Sequence, residues 1–470
     1  MIADGAGAWP GHVSALPEKL AAQVARRLED EIIDRGWPVG EVLGSESELQ
    51  GRFGVSRSVL REAVRLLEHE QIGRMRRGPG GGLVVRAPDA SPATRALVIY
   101  LEYIGTSVED LMRARLLLEP LAARLAAETL TEDGIDRLRA AAGREQAQAD
   151  EPGPFMNDEF HVLLGQLSGN VVLQLFTEVL TRLTARYASF SRRTSGEAVS
   201  AANALAAARH IEIAEAVTAG NAVDAHNRLT AHRVRRPTQR MRTRPADPNP
   251  DDDGPGRKLA EITAGRIHDD IVGEGRQIGE VLGSESELLA RYGVSRAVLR
   301  EAVHILEHHS VARMRRGPGG LVILEPDPTA DIHTMALYAS HHGLSPGHLR
   351  VVREAIELGC VQVVTANIPI SAAARLRAAL DLAADEGDAG NVFHTELAEL
   401  AANPVLTLFL RILTELWARN DRDERSPEPA GKDKAWRAHD KILDAVLAGD
   451  EGLALHRMRR HLQSLTAWWH

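Results

Sequence analysis

The stretch GSESELQGRFGVSRSVLREAVRLLEH, from Gly44, is nearly repeated as GSESELLARYGVSRAVLREAVHILEH, from Gly283, 239 residues later. The offset between equivalent residues falls in small steps to 229 near the end of the 470-residue chain, as expected where loops have lost residues. A period of half the chain indicates duplication of a multidomain unit, because solenoid repeats are about 20 to 50 residues long. Each half of the chain is therefore expected to contain the same domains.

The repeated stretch predicts two helices separated by a tight turn. Ser45 and Glu48 have the spacing of a capping box, in which the serine side chain accepts from an early helical N–H and the glutamate reaches back. Gly54 is suited to the turn that follows, and Ser56 is suited to cap a second helix ending near His69. The same residue types recur in the second copy, which predicts the same helix, turn and helix.

The second of these helices carries arginines on a face away from its apolar stripe. The arginines are Arg57, Arg61 and Arg65 in the first copy and Arg296 and Arg300 in the second. A basic, glycine-rich segment follows each helix and predicts a short β-hairpin. Arginine can bind guanine bidentately in the major groove of DNA while neighbouring cations hold phosphates. A solvated helix face, with Arg61 paired to Glu68, is the alternative, although the combination with a basic hairpin favours DNA binding.

The amino-acid composition limits the possible fold class and cellular location. Hydrophobic residues make up 44% and charged residues 26% of the chain, which is typical of a soluble globular protein, and the 4% aromatic content with frequent Ala, Leu and Arg favours helices. The net charge of −9 limits any DNA contact to a local basic face, and the single cysteine excludes an intrachain disulfide. No apolar run approaches the roughly 18 residues that span a bilayer, so we expect a cytoplasmic protein without membrane contact.

The expected fold class is mainly α. Each copy should contain two helices joined by a tight turn and a small β-hairpin, followed by an all-α helical bundle. An arginine run that begins at Arg233 is typical of a solvated helix end, with a contact to the DNA backbone as the alternative. The predicted boundaries are a flexible tail at 1–14, winged domains at 15–88 and 257–326, helical domains at 95–242 and 329–470, and a Pro- and Asp-rich linker at 243–256.

Histidines at matching positions are the candidate ligands of the helical halves. His161 follows Asn157 by four residues on one helix face, while His210 and His232 lie 22 residues apart on two further helices. The second copy repeats the spacing of 22 residues. Three imidazoles with an oxygen ligand suit a divalent ion such as Zn, Ni or Mn, with water positions left open. From the spacing alone, ordinary histidines of the helix surface remain the alternative.

Each copy resembles a GntR-family transcriptional regulator, on GEVLGSESEL, FGVSRSVLREAVRLLE and RMRRGPGGGLVV in the first copy and on Gly279 to Leu324 in the second. The resemblance implies a winged helix-turn-helix whose second helix and wing contact DNA. Gly44 and Gly283 stand where the family usually has proline, and Ser47 and Ser286 where it often has an arginine that contacts DNA. The candidate DNA-binding residues are Arg57, Ser58, Arg61, Arg76, Arg77 and Gly80, with Arg296, Arg300, Arg315, Arg316 and Gly319 in the second copy.

The helical half of each copy resembles the FCD effector domain of FadR-like members of this family, on EPLAARLAAE, NDEFH with LSGN, and ARHIEIAEAV. The resemblance implies an all-helical bundle that holds a divalent metal and binds a small carboxylate near it. It implies Arg115 as the contact for the effector carboxylate, with an ion pair to Glu119 as the alternative. Asp158 is the alternative oxygen ligand. The implied metal ligands are Asn157, His161, His210 and His232.

The second copy keeps only part of this set. Gly390 takes the place of Asn157 and offers no side-chain ligand, so water or Asp388 fills the position, or this half serves as a structural partner. We therefore expect the first site to bind metal more tightly. The retained residues are His394, His439 and His461 as metal ligands and Arg353 as the effector contact.

Two DNA-binding domains in one chain predict an intramolecular pseudo-dimer. Regulators like these bind as homodimers to half-sites about one DNA turn apart, and fusion supplies both domains at an effective concentration of about millimolar order. Further pairing of chains is left open. The expected partners are double-stranded DNA with a roughly palindromic operator and a small carboxylate effector, and the resemblance favours repression. The alternatives are a sensor of metal alone and a three-histidine metalloenzyme with Asp158 as general base.

Overall fold

The structure is a computed structural model. Contacts divide the chain into two units, Met1–Asp89 and Ala90–His470, and each unit is described by itself. The described residues are 20–78, 80–148, 159–189, 196–234, 259–308, 310–315, 319–366, 368, 372–378, 380, 389–420 and 429–467.

The first unit contains the helix, turn and helix that the sequence predicts. Ser45 caps the second of its helices through a complete capping box with Glu48, and Gly54 ends that helix in the left-handed region, at a φ of 63°. Ser56 then caps the third helix by accepting a hydrogen bond from the backbone N–H of Val59. The prediction for this stretch is confirmed. The helices are α1 (Leu20–Asp34), α2 (Glu46–Phe53) and α3 (Arg57–His69).

A two-stranded antiparallel hairpin, β1 (Gly73–Arg76) and β2 (Gly82–Val85), completes the first unit. Leu60 and Leu67 of α3 and Leu83 of β2 have no exposed surface. Burial of a leucine side chain stabilises a fold by about 1.5 to 3 kcal/mol, so this apolar stripe fixes the rotation of α3. The arginines of α3 consequently lie on its solvent side.

The second unit begins with a set of helices that matches the predicted first helical bundle. Ser107 and Asp110 form a capping box at the start of α5, a 22-residue helix of the core. Phe160 and Phe176 of this set are fully buried in the apolar core. The helices are α4 (Ser91–Tyr103), α5 (Val108–Thr129), α6 (Glu132–Gln148), α7 (Glu159–Leu167), α8 (Val171–Ser189), α9 (Gly196–Thr218) and α10 (Ala222–Val234).

A second helix-turn-helix follows within the second unit. Ser284 and Glu287 form a capping box, and Gly293 ends the helix at a φ of 65°, as Gly54 does in the first copy. The three strands pair antiparallel in the order β3, β5, β4. Strand β3 was not predicted, because three residues that include a glycine carry no alternation of apolar and polar side chains. The elements are α11 (Leu259–Gly273), β3 (Val281–Gly283), α12 (Glu285–Tyr292), α13 (Arg296–His308), β4 (Ala312–Met314) and β5 (Leu321–Ile323).

The rest of the second unit is again helical. Its single cysteine, Cys360, packs in the core, and burial raises the pKa of the thiol to about 12. Among the described residues, none of the helices combines the length and apolar character that crossing a membrane needs. The helices are α14 (Thr329–His341), α15 (Pro346–Ala366), α16 (Ala389–Leu400), α17 (Pro404–Asn420), α18 (Pro429–Leu447) and α19 (Glu451–Ala467), with a further helical stretch at residues 372–378.

The two helical sets of the second unit share one apolar core. Phe176 of α8 stacks on Phe409 of α17 with 3.9 Å between ring centroids, and these phenylalanines occupy equivalent positions in the two copies. Helix α5 also packs against α15, its equivalent. Contacts between equivalent elements are what a two-fold relation between the sets produces.

Two asparagines make reciprocal hydrogen bonds between the helical sets. Nδ2 of Asn170 donates to the backbone oxygen of His348, at 3.1 Å, near the start of α15. Nδ2 of Asn403 donates to the backbone oxygen of Asp110, at 3.0 Å, near the start of α5. Each asparagine also caps its own helix through its side-chain oxygen. The two bonds are equivalent under exchange of the copies, which is further support for the two-fold relation.

Candidate functional site

The arginine face of α3 is exposed to solvent. The side chains of Arg57 and Arg61 keep 64% and 59% of their surface, and both donate from Nε to Oε1 of Glu46, at 2.9 and 3.0 Å. Glu68, the partner weighed for Arg61, accepts instead from the backbone N–H of Met75, at 2.9 Å. Exposed ion pairs are weak and screened by salt, so phosphates or base edges can replace Glu46.

The wing of the first unit presents further candidate residues. Arg76 and Arg77 are exposed at the end of β1, and Nη2 of Arg76 donates to the backbone oxygen of Gly80, at 2.8 Å. Gly80 has a φ of 70°, which suits the tight turn of a hairpin. Ser58 is exposed in the first turn of α3, and its hydroxyl lies 2.9 Å from that of Ser56. The structure therefore places basic groups on both the helix and the wing.

The second copy presents a similar face. Arg296 keeps 73% of its side-chain surface and lies 3.5 Å from Glu285, the equivalent of Glu46. Arg300 is exposed one turn further along α13, and Arg315 is exposed at the end of β4. Gly319 lies in the turn before β5, where a Cβ atom would come within 2.7 Å of Cβ of Arg315.

Three buried histidines meet in the first helical set. His161 on α7, His210 on α9 and His232 on α10 are each at most 2% exposed. One nitrogen from each lies within 4.8 Å of the others, and Nε2 of His210 is 3.3 Å from Nε2 of His232. The alternative of ordinary surface histidines is therefore wrong.

The second helical set has an equivalent triad, formed by His394 on α16, His439 on α18 and His461 on α19. Nε2 of His461 lies 3.3 Å from Nε2 of His394 and 2.8 Å from Nε2 of His439. Burial lowers the pKa of His461 to about 3 and also lowers the pKa of His439. At neutral pH these imidazoles are therefore uncharged and have lone pairs to donate.

The triads have the dimensions of metal sites. A zinc–nitrogen bond of about 2.0 to 2.1 Å and a tetrahedral angle place two imidazole nitrogens about 3.3 Å apart on one ion. That value is the Nε2 separation of His210 and His232 and of His394 and His461. Burial also lowers the pKa of His161 well below its usual range, which keeps this ring neutral. The residues present fit a divalent ion of the borderline class.

Buried carboxylates lie behind the rings. Glu145 on α6 contacts Nδ1 of His210, and Glu119 on α5 lies 3.3 Å from Nδ1 of His161. In the second set, Glu357 contacts Nδ1 of His394. A carboxylate on one ring nitrogen holds its proton there, so the opposite nitrogen is left for an ion.

Arg115 forms the ion pair that was the alternative to an effector contact. Its side chain has no exposed surface, Nε donates to Oε1 of Glu119 at 2.5 Å, and Nη1 donates to Thr184 at 2.5 Å. Arg353 is equivalent, with Nε 2.5 Å from Glu357, but it keeps 13% of its side-chain surface. The effector role of both arginines stays a prediction.

Arg233 corrects the prediction of a solvated arginine run. Only 7% of the residue is exposed, and its Nε donates to Oε2 of Glu119. Arg115 bonds one of the two buried carboxylate oxygens of Glu119. The guanidinium of Arg233 points inward because it bonds the other oxygen. The second copy has Leu462 at the position equivalent to Arg233, directly after the matched histidine. An apolar residue there indicates a buried position. The rest of the run lies outside the described residues.

Glu145 was not predicted at all. It is 65 residues from its partner His210, so no local spacing links the two. The equivalent position in the second copy is Ala383, which has no carboxylate. Several predicted residues lie outside the described part of the chain: Asn157, Asp158, Arg316, Asp388, and the tail and linker at 1–14 and 243–256.

Comparison with known families matches four segments of the chain. The model of the FCD domain matches residues 110–235 and 348–464. The model of the bacterial regulatory proteins of the gntR family matches residues 20–85 and 259–322. Each family is therefore matched twice.

Individual relatives match parts of the chain. The Uxu operon regulator of Haemophilus influenzae is 29% identical over 34% of this chain and 58% of its own length. The Exu regulon transcriptional regulator of Escherichia coli K12 is 30% identical over 34% of this chain and 62% of its own length. This chain thus spans about three fifths of these relatives. A solved structure, Streptococcus agalactiae GntR, is 27% identical, with a TM-score of 0.34, over 46% of this chain and 97% of that one.

Two winged helix-turn-helix domains with helical effector-binding domains define a transcriptional regulator. The chain belongs to the gntR family of bacterial regulatory proteins and carries the DNA-binding domain and the FCD domain in two copies each. The matched relatives are named as regulators of transcription, and the matched family is one of bacterial regulatory proteins. These matches do not favour the metalloenzyme alternative.

Proposed function

We propose that the chain is a cytoplasmic repressor that binds a roughly palindromic operator and responds to a small carboxylate and a divalent metal. The exposed arginines of α3 and α13 carry the proposal, because both copies keep the same basic face at the same place on the second helix. Two such helices suit two similar half-sites. Arg57 and Arg61, with Arg296 and Arg300, are the proposed base and phosphate contacts.

We propose that the triads hold Zn, Ni or Mn, more tightly in the first copy. The match between the Nε2 separations and tetrahedral coordination supports the ion. Glu145 supports the asymmetry because it fixes His210, whereas no hydrogen-bond partner for Nδ1 of His439 is found among the described residues. A bound ion would supply a Lewis acid for an effector carboxylate. Asn157 remains the proposed oxygen ligand of the first site.

The effector arginines differ between the copies. A carboxylate that binds Arg115 must reach the protein interior, since the guanidinium is fully buried against Glu119 and Thr184. Arg353 is partly accessible and lies over the ring of Trp417, with 6.0 Å between the guanidinium carbon and the ring centroid. We propose both as effector contacts, and expect Arg353 to be reached with less rearrangement.

We propose that the two effector domains pair with each other within one chain. The reciprocal bonds of Asn170 and Asn403 and the stack of Phe176 on Phe409 support this pairing. In the family that this chain belongs to, such pairing would otherwise need two chains. One chain would then carry both DNA-binding domains of a dimer at a local concentration of about millimolar order.

Helix α8 offers a route from the first effector domain to the second DNA-binding domain. Thr184 bonds Arg115 at the candidate site, and Arg186, two residues on, donates to Glu102 at 2.8 Å and to Asp269 of α11 at 2.5 Å. Burial raises the pKa of Asp269, but hydrogen bonding to His268 and the charge of Arg186 bring it down to about 2. Asp269 is therefore ionised at neutral pH and holds α11 to α8.

Fluorescence anisotropy with operator DNA from upstream of the gene tests this function. We expect the parent to lose affinity when a divalent metal and a member of a panel of small carboxylic acids are added together. Arg186→Ala should bind DNA but lose most of that response, because α8 no longer holds Asp269. Arg182→Ala, which removes a more exposed pair with Glu178 one turn earlier on the same helix, is the control. An unchanged response in Arg186→Ala would rule out this route.

A sensor of metal alone is the second candidate, and the completeness of the histidine triads favours it. In that case chelation or metal addition should release DNA without any organic acid. The same titration, run with each addition separately, distinguishes the two.

A further inference from the structure

The paired helices α5 and α15 carry side chains of different size where they touch. Gly359 lies in the interior of α15 and is buried against Leu117 of α5. A Cβ atom added to Gly359 would overlap Cδ1 of Leu117 and would come within 3.2 and 3.3 Å of its Cδ2 and Cγ. The whole end of the leucine therefore occupies the space that a side chain would need. A glycine in a helix interior is unfavourable by propensity, and this close packing is a physical reason for it.

The reciprocal contact is different. Under the two-fold relation, Leu117 is equivalent to Ala355, and Gly359 is equivalent to Leu121. The contact related to Leu117 against Gly359 is therefore Ala355 against Leu121, and both residues are buried or half-buried in the shared core. Each contact combines one leucine with one small residue.

We infer that this surface is built to pair the first effector domain with the second, and that it disfavours pairing with a second copy of the same domain. Two first domains would bring Leu117 against Leu121 at both contacts, which overpacks the surface. Two second domains would bring Ala355 against Gly359 at both contacts, which leaves voids. Only the unlike pair fills the space, so the occupant of this surface is the other half of the same chain. Steric rejection of like pairs is a recognised source of specificity.

The inference rests on the proposed pairing within one chain and adds a selectivity to it. It predicts that the chain stays a single-chain particle at micromolar concentrations, because this surface is occupied within the chain and rejects like pairing. It also explains why α15 has small residues, Ala355 and Gly359, where α5 has leucines. The duplicated domains have diverged in complementary directions at these two positions.

Exchange of the large and small residues tests the inference in the full chain. Gly359→Leu should lower the melting temperature by about 2 to 6 °C, because leucine then meets Leu117. The double variant with Leu117→Ala should recover most of that loss, because the volumes are then exchanged and not added. Gly143→Leu is the control, since a Cβ atom at Gly143, in the interior of α6, meets nothing within 4 Å. Leucine has a higher helix propensity than glycine at both positions. A difference between the two melting temperatures is therefore attributed to the contact with Leu117.

Two results would overturn the inference. The first is a melting temperature of Gly359→Leu equal to that of Gly143→Leu. The second is a double variant no more stable than Gly359→Leu alone. Light scattering separates this failure from a failure of the proposed pairing. Two chains per particle in the parent at micromolar concentration would contradict the pairing itself, whereas one chain with no rescue would remove only the selectivity.

Discussion

Glu119→Gln is expected to lower the free energy of unfolding of the second unit by about 3 to 5 kcal/mol. Glu119 is 1% exposed and is the carboxylate between two buried guanidiniums, those of Arg115 and Arg233. Removal of one member of a buried ion pair leaves uncompensated charge in a medium of low dielectric constant, and costs of this size are usual. Here a single substitution would remove the carboxylate that both arginines contact.

Urea denaturation followed by circular dichroism, after chelation of metal, measures this loss. Glu109→Gln is a matched control on the exposed side of the same helix, because Glu109 keeps 80% of its side-chain surface beside Arg113. Exposed pairs contribute about 0 to 1 kcal/mol, so the control should be close to the parent. A loss for Glu119→Gln as small as that of the control would show that the buried arginines find other partners.

His210→Ala is expected to remove the tightest bound metal, while His439→Ala leaves it in place. Among the described residues, the ion pairs around the rings do not distinguish the sites by net charge: two acidic and two arginine side chains form those of the first site, and one of each forms those of the second. The difference lies in Glu145, which holds His210 in the tautomer that offers Nε2. Loss of an outer carboxylate of this kind costs about 10- to 100-fold in affinity, and loss of the ligand itself should cost more.

Competition with a chromophoric chelator gives the affinity, and elemental analysis gives the number of ions per chain. His456→Ala is the control, because this histidine is exposed on α19 and lies outside the triad. Equal losses from His210→Ala and His439→Ala would contradict the predicted asymmetry. If neither variant loses metal, the triads are not the ligand sets.

Local signals in the sequence were sufficient for the DNA-binding half. Capping at Ser45 and Ser284 depends on neighbours within three residues, and the left-handed turn at Gly54 depends on the residue itself. The arginine face follows from helical spacing once the apolar stripe is known. Besides strand β3, the partner of the arginines was missed, because Glu46 reaches Arg57 and Arg61 across the turn from another helix.

The helical half was less accessible to sequence reasoning. Spacing and resemblance identified the histidines, but the charges around them come from elements far apart in the chain. Glu145 is 65 residues from His210, and Arg233 is 114 residues from Glu119. Such pairs leave no periodic pattern. Arg233 in particular was assigned to solvent because it sits in a run of arginines, whereas the buried carboxylate of Glu119 determines where it points.

The central claim is that both DNA-binding domains of one chain read DNA. Fluorescence anisotropy with operator DNA, across a range of salt, compares the parent with Arg61→Ala, Arg300→Ala and the double variant. Arg139→Ala, an exposed arginine on α6, is the control. We predict that each single variant weakens specific binding by about 1 to 3 kcal/mol, that the double variant weakens it further, and that affinity falls steeply with salt. Loss from only one of the two substitutions, or from neither, would contradict the claim.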